Sequence, residues 1–442
     1  MDLLATTRDL EGDNDVHPPT PRNGLSRRAF LAGVGAAGTT LALAGCGAVG
    51  RSTRPTTISF YVSKPEVIGY FQRLANRYNR SQSKVRVVLD STSNMSADFV
   101  RNQPPDLGCW NYNFSMVEFV EHGALTDLSD TAEAKSINPK LWTLLDQTAK
   151  YPGRISAVPY SVMAASVIYN TAIFAQHGIQ VPTTWTELTA ACEKLLAAGV
   201  TPFYNTYRDT WTIAQGMFDY TIGGMVDVKS FFAELSREGT RVGKSSRASF
   251  EKDFAAPMQR MAQLAEYSNK DAASRGYGDG NLAFAKGKAA MYLQGPWALG
   301  EIAKSNAHLD LGTFPLPVTD DPNDLKVRVN VDLALWIPEA SKKQDAARDF
   351  MSWLMTPAVI DTYNADNNGF GVRADAPPMK NPALAGMQKY YDDGAFYLGA
   401  SQLIPASIPV ANYAQAMALG ASPASQLRTL DADWARLALR SA

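Results

Sequence analysis

Apolar side chains after residue 55 recur at two different spacings, which predict alternating strands and helices. Residues 57–62 form a short β-prone run, residues 66–79 carry apolar side chains at helical spacing, and residues 85–89 are again strand-like. A strand, a helix and a second strand in close succession predict a βαβ unit. We therefore expect an α/β fold that begins with a parallel sheet covered by helices.

The same two patterns continue along the rest of the chain. Short apolar runs predict further strands at residues 107–110, 157–160, 166–170, 289–293 and 331–337. Two further helices are predicted at residues 114–122 and 424–439. Four others are predicted by their first residues: a capping box of Thr184 and Glu187, a start near Ala298, a cap at Ser341, and Thr356-Pro357. No internal repeat is evident, which excludes solenoids and propellers.

The first 50 residues carry an export pattern. Ser26-Arg27-Arg28 precedes an apolar, glycine-rich stretch that ends in Leu43-Ala44-Gly45-Cys46. Paired arginines before such a stretch predict a twin-arginine signal peptide over residues 1–45, and the last four residues match a lipoprotein lipobox. Residues 46–55 would then be a tether, and the exported protein would be lipid-anchored through Cys46 to the outer face of the cytoplasmic membrane. The alternative is an uncleaved anchor or a cysteine without this role.

The charge balance narrows the class of partner. The 442-residue chain carries 42 Lys and Arg against 43 Asp and Glu, a formal net charge of −1. This balance argues against a protein that holds nucleic acid or an anionic membrane through bulk charge. With 45% apolar residues the chain can bury substantial cores, and at about 100 to 200 residues per domain it should form two or three units.

The sequence lacks the usual signatures of catalysis. His122, His177 and His308 stand singly, and no H-E-x-x-H, G-x-S-x-G or phosphate-loop motif is present. We therefore expect no enzyme, no cofactor and no metal site. A glycosidase, which needs only two suitably spaced carboxylates, is the enzyme class that the sequence leaves open.

Three segments stand in a specific order and spacing. They are Ile168–Asn170 leading to Pro182–Trp185, Phe284–Met291 leading to Gly295-Pro296-Trp297, and Phe350–Leu354 before Thr356-Pro357. In this arrangement the chain resembles the extracellular solute-binding proteins, family 1, of ABC importers, many of which take up sugars. The resemblance covers residues 54–439.

The resemblance implies a two-lobed α/β fold of the periplasmic-binding-protein type (type II), with hinge crossovers and a ligand cleft between the lobes. The first lobe is expected at residues 56–162 plus 329–370 and the second at residues 163–328 plus 371–442. Ligand that contacts both lobes would shift the population toward a closed form. The implied partners of this monomer are a small sugar-like solute and the permease membrane subunits of an ABC importer, with no nucleic acid and no membrane contact beyond the lipid anchor.

A sugar site needs planar hydrogen-bonding groups and aromatic faces. In the first lobe such side chains follow three strands, where the resemblance places the cleft. They are Ser63 and Lys64 in the first loop, Thr92, Ser93 and Asn94 in the second, and Trp110, Asn111 and Asn113 in the third. The alternatives are ordinary turn chemistry for the first two loops and a buried core position for Trp110.

The second lobe and the C-terminal return supply the other candidates. They are Tyr207, Arg208, Asp209, Trp211, Trp297, Arg373, Asn412 and Tyr413. Trp297 matches the stacking tryptophan of the family, with a ring packed under the lobe as its alternative, and Asp209 has a helix N-cap as its alternative. Many relatives carry Gly-Gly in the loop before residues 333–337, where this chain has Asn330-Val331-Asp332, so Asp332 has either a ligand role or a turn role.

The ligand class stays open among three chemistries. A neutral monosaccharide or oligosaccharide ranks first because tryptophan outnumbers cations among the candidate loops. An amino sugar would place Asp209 or Asp332 against its ammonium, and a glycerophosphodiester would need Lys64, Arg208 or Arg373 at its phosphate. A surface adhesin or signalling lipoprotein without transport is the alternative of a different class.

Cys109 and Cys192 lie in apolar runs of different predicted lobes. A disulfide between them would hinder closure of the lobes. We expect two buried free thiols.

Overall fold

A computed structural model describes residues 54–441, in which strand β1 (Thr56–Tyr61), helix α1 (Pro65–Ser81) and strand β2 (Val85–Asp90) build the predicted βαβ unit. β1 and β2 pair in parallel. α1 forms because its apolar residues fall on one buried face and because Pro65 occupies the first turn, where its missing N–H costs no helical hydrogen bond. The predicted parallel start of the sheet is confirmed.

The remaining elements alternate between strands and helices. The other strands are β3 (Leu107–Trp110), β4 (Val158–Asn170), β5 (Thr201–Phe203), β6 (Ala289–Gln294), β7 (Leu311–Phe314), β8 (Val327–Trp336) and β9 (Phe396–Leu398). The other helices are α2 (Met95–Val100), α3 (Val117–Glu121), α4 (Ala132–Ser136), α5 (Trp142–Thr148), α6 (Thr171–Gln176), α7 (Trp185–Ala197), α8 (Thr210–Ile213), α9 (Asp219–Met225), α10 (Val228–Glu238), α11 (Phe250–Asp253), α12 (Ala255–Glu266), α13 (Tyr277–Ala285), α14 (Trp297–Ser305), α15 (Gln344–Leu354), α16 (Pro357–Asp366), α17 (Ala385–Asp393), α18 (Val410–Ala418) and α19 (Pro423–Ser441). A π-helical turn, Ala214–Phe218, joins α8 to α9.

The strands are hydrogen-bonded in the order β2-β1-β3-β8-β4-β6-β5, with β7 also on β4 and β9 also on β8. β4 pairs antiparallel with β8 through residues 158–165 and with β6 and β7 through residues 166–170. One strand therefore connects two groups of strands. Every residue of β8 and nearly every residue of β4 is buried, which explains their long apolar runs.

The two long strands differ from their predicted bounds. The candidates at residues 157–160 and 166–170 are one strand. The strand predicted at residues 331–337 begins earlier, at Val327, so Asn330-Val331-Asp332 lie within β8 and not in the loop that relatives suggested. Val331 stands opposite Val162 of β4, and its carbonyl accepts a hydrogen bond of 3.2 Å from Tyr112 N. The polar side chains of this segment find buried partners, so the strand continues through them.

Local capping predictions are confirmed at one helix and wrong at another. The hydroxyl of Thr184 accepts from Glu187 N at 3.2 Å, and the Glu187 carboxylate accepts in return, which forms the capping box of α7. Ser341 does not cap α15, whose N-cap residue is Lys343. The Ser341 hydroxyl instead donates to Asp106 Oδ1 at 2.8 Å, because the side chains of Ser341 and Asp106 are buried together.

Cys109 on β3 and Cys192 on α7 are both buried free thiols, as expected. Burial raises the pKa of Cys109 and raises that of Cys192 to about 12. The predicted signal peptide, residues 1–45, and the lipidation site Cys46 lie outside the described residues, as does nearly all of the tether. Within residues 54–441, no helix combines the length and the apolar character needed to cross a bilayer.

Candidate functional site

A cavity of about 340 Å³ lies where the loops after β1 and β3 meet the middle of β8 and the first turns of α8 and α14. The structure brings eight of the predicted site residues together in its lining. These are Ser63, Lys64, Trp110, Asn111, Asn113, Trp211, Trp297 and Asp332. They come from segments up to 268 residues apart in the chain, as the Lys64 to Asp332 contact shows.

Lys64 and Asp332 form an ion pair in the wall of this cavity. Lys64 Nζ lies 2.8 Å from both carboxylate oxygens, and the two side chains are 13% and 5% exposed. Asn111 Nδ2 donates to the Asp332 carbonyl at 2.5 Å and to its Oδ1 at 3.3 Å. The turn role considered for Asp332 is therefore wrong, since its carboxylate is held by a cation and an amide in mid-strand.

Three indole rings line the same cavity. Trp110 is half-buried and meets Tyr61 edge to face, with ring centroids 6.2 Å apart, so it is not the enclosed core ring of the alternative interpretation. Trp211 is 36% exposed and contacts the ring of Tyr277 at 5.0 Å. Trp297 Nε1 donates to Gln294 Oε1 at 3.1 Å. Each ring thus contacts a neighbouring side chain and lines the cavity.

Trp297 reaches its position because the residue two places before it is glycine. A Cβ at Gly295 would lie 2.2 Å from the ring carbon Cζ3 of Trp297. The indole therefore lies directly against the backbone, which only glycine permits.

Three amide side chains in the lining were missed by sequence reasoning: Gln215, Asn330 and Gln402. Gln215 lies on the π-helical turn, where Gly216 leaves helical geometry with φ −99° and ψ −115°. Gln402 lies in the turn after β9, and its Oε1 is buried without a hydrogen-bond partner in the described part of the chain. Such turns are frequent at functional sites, but the local sequence gives no signal for them.

A fully buried ion pair lies behind two of these amides. Arg328 Nε donates to Asp219 Oδ2 at 2.7 Å, and neither side chain is exposed. Arg328 Nη1 also donates to Asn330 Oδ1 at 3.1 Å, while Ser401, the neighbour of Gln402, donates to Asp219 from its backbone N–H and its hydroxyl. Burial raises the pKa of Asp219, and the guanidinium opposes that shift. Arg328 is one of three polar residues in the otherwise apolar β8, and this was the only sequence signal for the network.

The loop after β2 lies outside the cavity. Asn94 Oδ1 accepts from Ala97 N at 3.1 Å and so caps α2, and Ser93 N donates to Asp90 Oδ1 at 3.1 Å. Thr92 N donates to the same oxygen at 3.0 Å. These contacts are the turn chemistry that was the alternative for this loop.

The structure does not bring Tyr207, Arg208 or Asp209 to the cavity. Tyr207 is buried with its hydroxyl 2.7 Å from Ser268 Oγ, and burial raises its pKa to about 12. Arg208 Nη2 lies 3.3 Å from Asp279 Oδ2. Asp209 is the N-cap residue of α8, although its Oδ2 accepts from Tyr277 N at 2.6 Å rather than from α8 itself.

The three C-terminal candidates also lie away from the cavity. Arg373 Nη2 contacts Asp361 Oδ2 at 3.0 Å, and Asn412 is exposed on α18. Tyr413 donates to Asp433 Oδ2 at 2.5 Å. Arg373 and Tyr413 are therefore occupied by carboxylates near them in the chain.

The family model for bacterial extracellular solute-binding proteins matches residues 64–360. The multiple sugar-binding protein of Streptococcus mutans is 24% identical over 350 residues, which are 76% of this chain and 81% of that protein. The maltotriose-binding protein of Pyrococcus abyssi is 23% identical over 336 residues, 73% of this chain and 68% of that protein.

Solved structures agree with the predicted fold class. RafE of Streptococcus pneumoniae, solved in an apo form and in complex with raffinose, is similar with a TM-score of 0.74. The raffinose complex is 20% identical and covers 87% of this chain and 100% of that one. The two-lobed type II binding-protein fold is thereby confirmed. With two thirds of its length matched by the family model, the chain belongs to the bacterial extracellular solute-binding proteins.

Proposed function

We propose that this protein is the substrate-binding lipoprotein of an ABC importer and captures a neutral carbohydrate in the cavity described above. The observation that carries the proposal is the lining itself, in which Trp110, Trp211 and Trp297 stand among five side-chain amides. Indole faces pack against the C–H faces of a sugar ring, and amides donate to and accept from its hydroxyls. The names of relatives that bind maltotriose and raffinose support this ligand class.

Hinge closure is the proposed mechanism. The proposed lobes are residues 56–162 with 329–370 and residues 163–328 with 371–442. Trp110 lies in the first lobe and Trp211 and Trp297 in the second, so a sugar between them contacts both. Its binding energy would shift the population toward the closed form, which the permease recognises.

The charges around the cavity favour a neutral ligand over a phosphodiester. Lys64 is held by Asp332 at 2.8 Å, and Arg208 and Arg373 are held by Asp279 and Asp361 away from the cavity. A phosphate would have to displace a carboxylate to gain a cation. Glu66, which also lines the cavity, would repel it.

The same pairing argues against an amino sugar held by Asp332 or Asp209. The Asp332 carboxylate holds Lys64 and Asn111, and the Asp209 carboxylate accepts from Tyr277 N outside the cavity. An ammonium group would have to compete with an existing cation for Asp332. A neutral hydroxyl needs no such exchange.

The export pattern completes the proposal. A monomer anchored through an acylated Cys46, after removal of residues 1–45, would hold the cavity at the outer face of the cytoplasmic membrane, close to the permease subunits that receive the sugar.

Calorimetric titration of the purified protein tests this function directly. The ligands are raffinose, maltotriose and glucose as neutral sugars, glucosamine as an amino sugar, and glycerophosphocholine as a phosphodiester. We expect at least one neutral sugar to bind, and at 100 times its Kd to stabilise the fold by about 2.7 kcal/mol in a parallel melting experiment. Tight binding of glycerophosphocholine alone, or release of hydrolysis products during the titration, would contradict the proposal.

A further inference from the structure

A second groove of about 600 Å³ is lined by residues that neighbour the cavity lining in the chain. Asn113 lines the cavity and its neighbour Phe114 lines the groove; likewise Gln402 lines the cavity and Leu403 the groove. The cavity and the groove therefore share two segments of wall. One side of the groove is built by the 114–150 region and the other by α10, α19 and the turn after β9.

Aromatic rings stand on both sides of this groove. Phe114 is half-buried, and it makes no ring contact with any residue of the described part of the chain and does not belong to the packed core. Trp434 on the other side is half-buried and rests on Phe232 and Phe250, with ring centroids 5.9 and 5.8 Å away. Phe114 thus offers a ring face that the fold itself does not use.

The charges of the groove cancel. Asp146 and Lys150 on one side form an ion pair of 2.7 Å, and the remaining charged residues are Glu121 on that side and Lys229 on α10. Two acidic and two basic groups at the edges of a mostly apolar surface suit an uncharged occupant with C–H faces and peripheral hydroxyls.

Building on the proposed function, we propose that this groove binds the further sugar units of an oligosaccharide whose first units lie among Trp110, Trp211 and Trp297. The substrate class is then a neutral oligosaccharide. A monosaccharide would occupy only the cavity and leave the ring of Phe114 without a partner.

The test compares affinity against chain length by calorimetry, using galactose, melibiose, raffinose and stachyose in one series and glucose, maltose, maltotriose and maltotetraose in another. We expect affinity in the series that binds to rise at least about tenfold from the monosaccharide to the trisaccharide, the gain of one well-placed aromatic contact. Phe114→Ala should weaken trisaccharide binding about 3- to 10-fold and leave monosaccharide binding within about 2-fold.

Phe114 is the residue to change because it lies outside the core, so its removal should leave the melting temperature nearly unchanged. Leu419→Ala, at a residue that is 54% exposed and lines neither space, is the matched control and should change no affinity. Trp434→Phe gives a second variant on the opposite side, with the same expected selectivity for longer ligands.

The outcomes separate this inference from the function on which it rests. If no sugar of either series binds, the proposed function itself is wrong. If sugars bind with an affinity independent of chain length, or if Phe114→Ala weakens every ligand equally, the groove has another occupant or none, and the inference is overturned while the proposed function stands.

Discussion

Arg328 and Asp219 face each other across 2.7 Å in the interior of the protein, and neither is exposed to solvent. The pair lies directly behind the cavity, since Arg328 holds Asn330 and Asp219 holds Ser401, the neighbour of Gln402. Two lining amides are thus positioned by one buried ion pair. This relationship joins the stability of the fold to the geometry of the site.

Asp219→Ala should destabilise the protein by about 3 to 5 kcal/mol, because it leaves the guanidinium of Arg328 buried without a counter-charge. Denaturant unfolding measures this loss. Lys304→Ala, which removes the exposed pair with Glu301 at 2.6 Å, is the control and should cost less than about 1 kcal/mol. Equal losses in the two variants would show that the buried pair contributes no more than a surface pair.

Gln402→Met should lower sugar affinity about fivefold and leave the stability unchanged or slightly higher, because the buried Gln402 Oε1 has no partner within the described residues. Gln415→Met is the contrasting variant. Gln415 Nε2 donates to the Tyr207 carbonyl at 2.6 Å away from the cavity, so its loss should lower stability and spare affinity. Calorimetry and thermal melting together distinguish the two, and unchanged binding in Gln402→Met would remove this residue from the site.

Trp297→Ala should weaken sugar binding by about tenfold or more with a small change in melting temperature, since the ring lines the cavity and is half-buried. Trp353→Ala is the matched tryptophan control. Trp353 stacks on Phe350 at 6.0 Å and contacts Tyr78 at 5.3 Å, so its removal should reduce stability without reducing affinity. A large fall in stability with unchanged affinity in Trp297→Ala would make that ring structural.

Lys64→Met should shift ligand preference toward amino sugars, because it leaves the Asp332 carboxylate without its cation in the wall of the cavity. The ratio of glucosamine to glucose affinity, measured by calorimetry, should rise about tenfold, a change of ~1.4 kcal/mol. Lys64→Met combined with Asp332→Asn restores neutrality and should return the ratio to that of the unaltered protein. A ratio that does not respond to either change would place the ligand away from this ion pair.

The two thiols should make stability fall in mildly alkaline solution. Burial raises the folded-state pKa of Cys109 and of Cys192, the latter to about 12, whereas an unfolded thiol ionises near pH ~8.5. The folded state therefore keeps protons that the unfolded state releases. Above pH ~8.5, each thiol lowers the free energy of unfolding by ~1.4 kcal/mol per pH unit.

Denaturant unfolding at pH 8, 9 and 9.5 measures this slope. The double variant Cys109→Ala with Cys192→Ala should show a shallower slope, and native-state alkylation at pH 8 should leave both cysteines unmodified by peptide mass spectrometry. Rapid alkylation of either residue in the native protein would contradict its burial.

Periodicity and local chemistry were enough to predict the βαβ start, the capping box at Thr184 and the loops after β1 and β3. They predicted only the second half of β8 and missed its first residues, because Arg328, Asn330 and Asp332 are polar and yet buried. Polar residues in a short segment indicate a loop when only their neighbours are considered. Their actual partners, Asp219 and Lys64, are 109 and 268 positions away in the chain.

The same limit explains which site residues were found. Trp110 and Trp297 stand near predicted strand ends, and the resemblance to the solute-binding family marked both as ligand positions. Gln215 and Gln402 reach the cavity through a π-helical turn and a single turn after β9, whose geometry depends on packing against distant strands. Gly216, for example, has only 3.0 Å between the position of a Cβ and the Leu293 carbonyl oxygen.

The residue types at positions 295 and 297 depend on each other. A methyl group at position 295 would collide with the indole, so a substitution there removes the aromatic platform without touching the tryptophan. Conversely, a protein that loses the tryptophan no longer has this reason to keep the glycine. We expect homologues that have evolved to bind a different ligand to differ at both positions together.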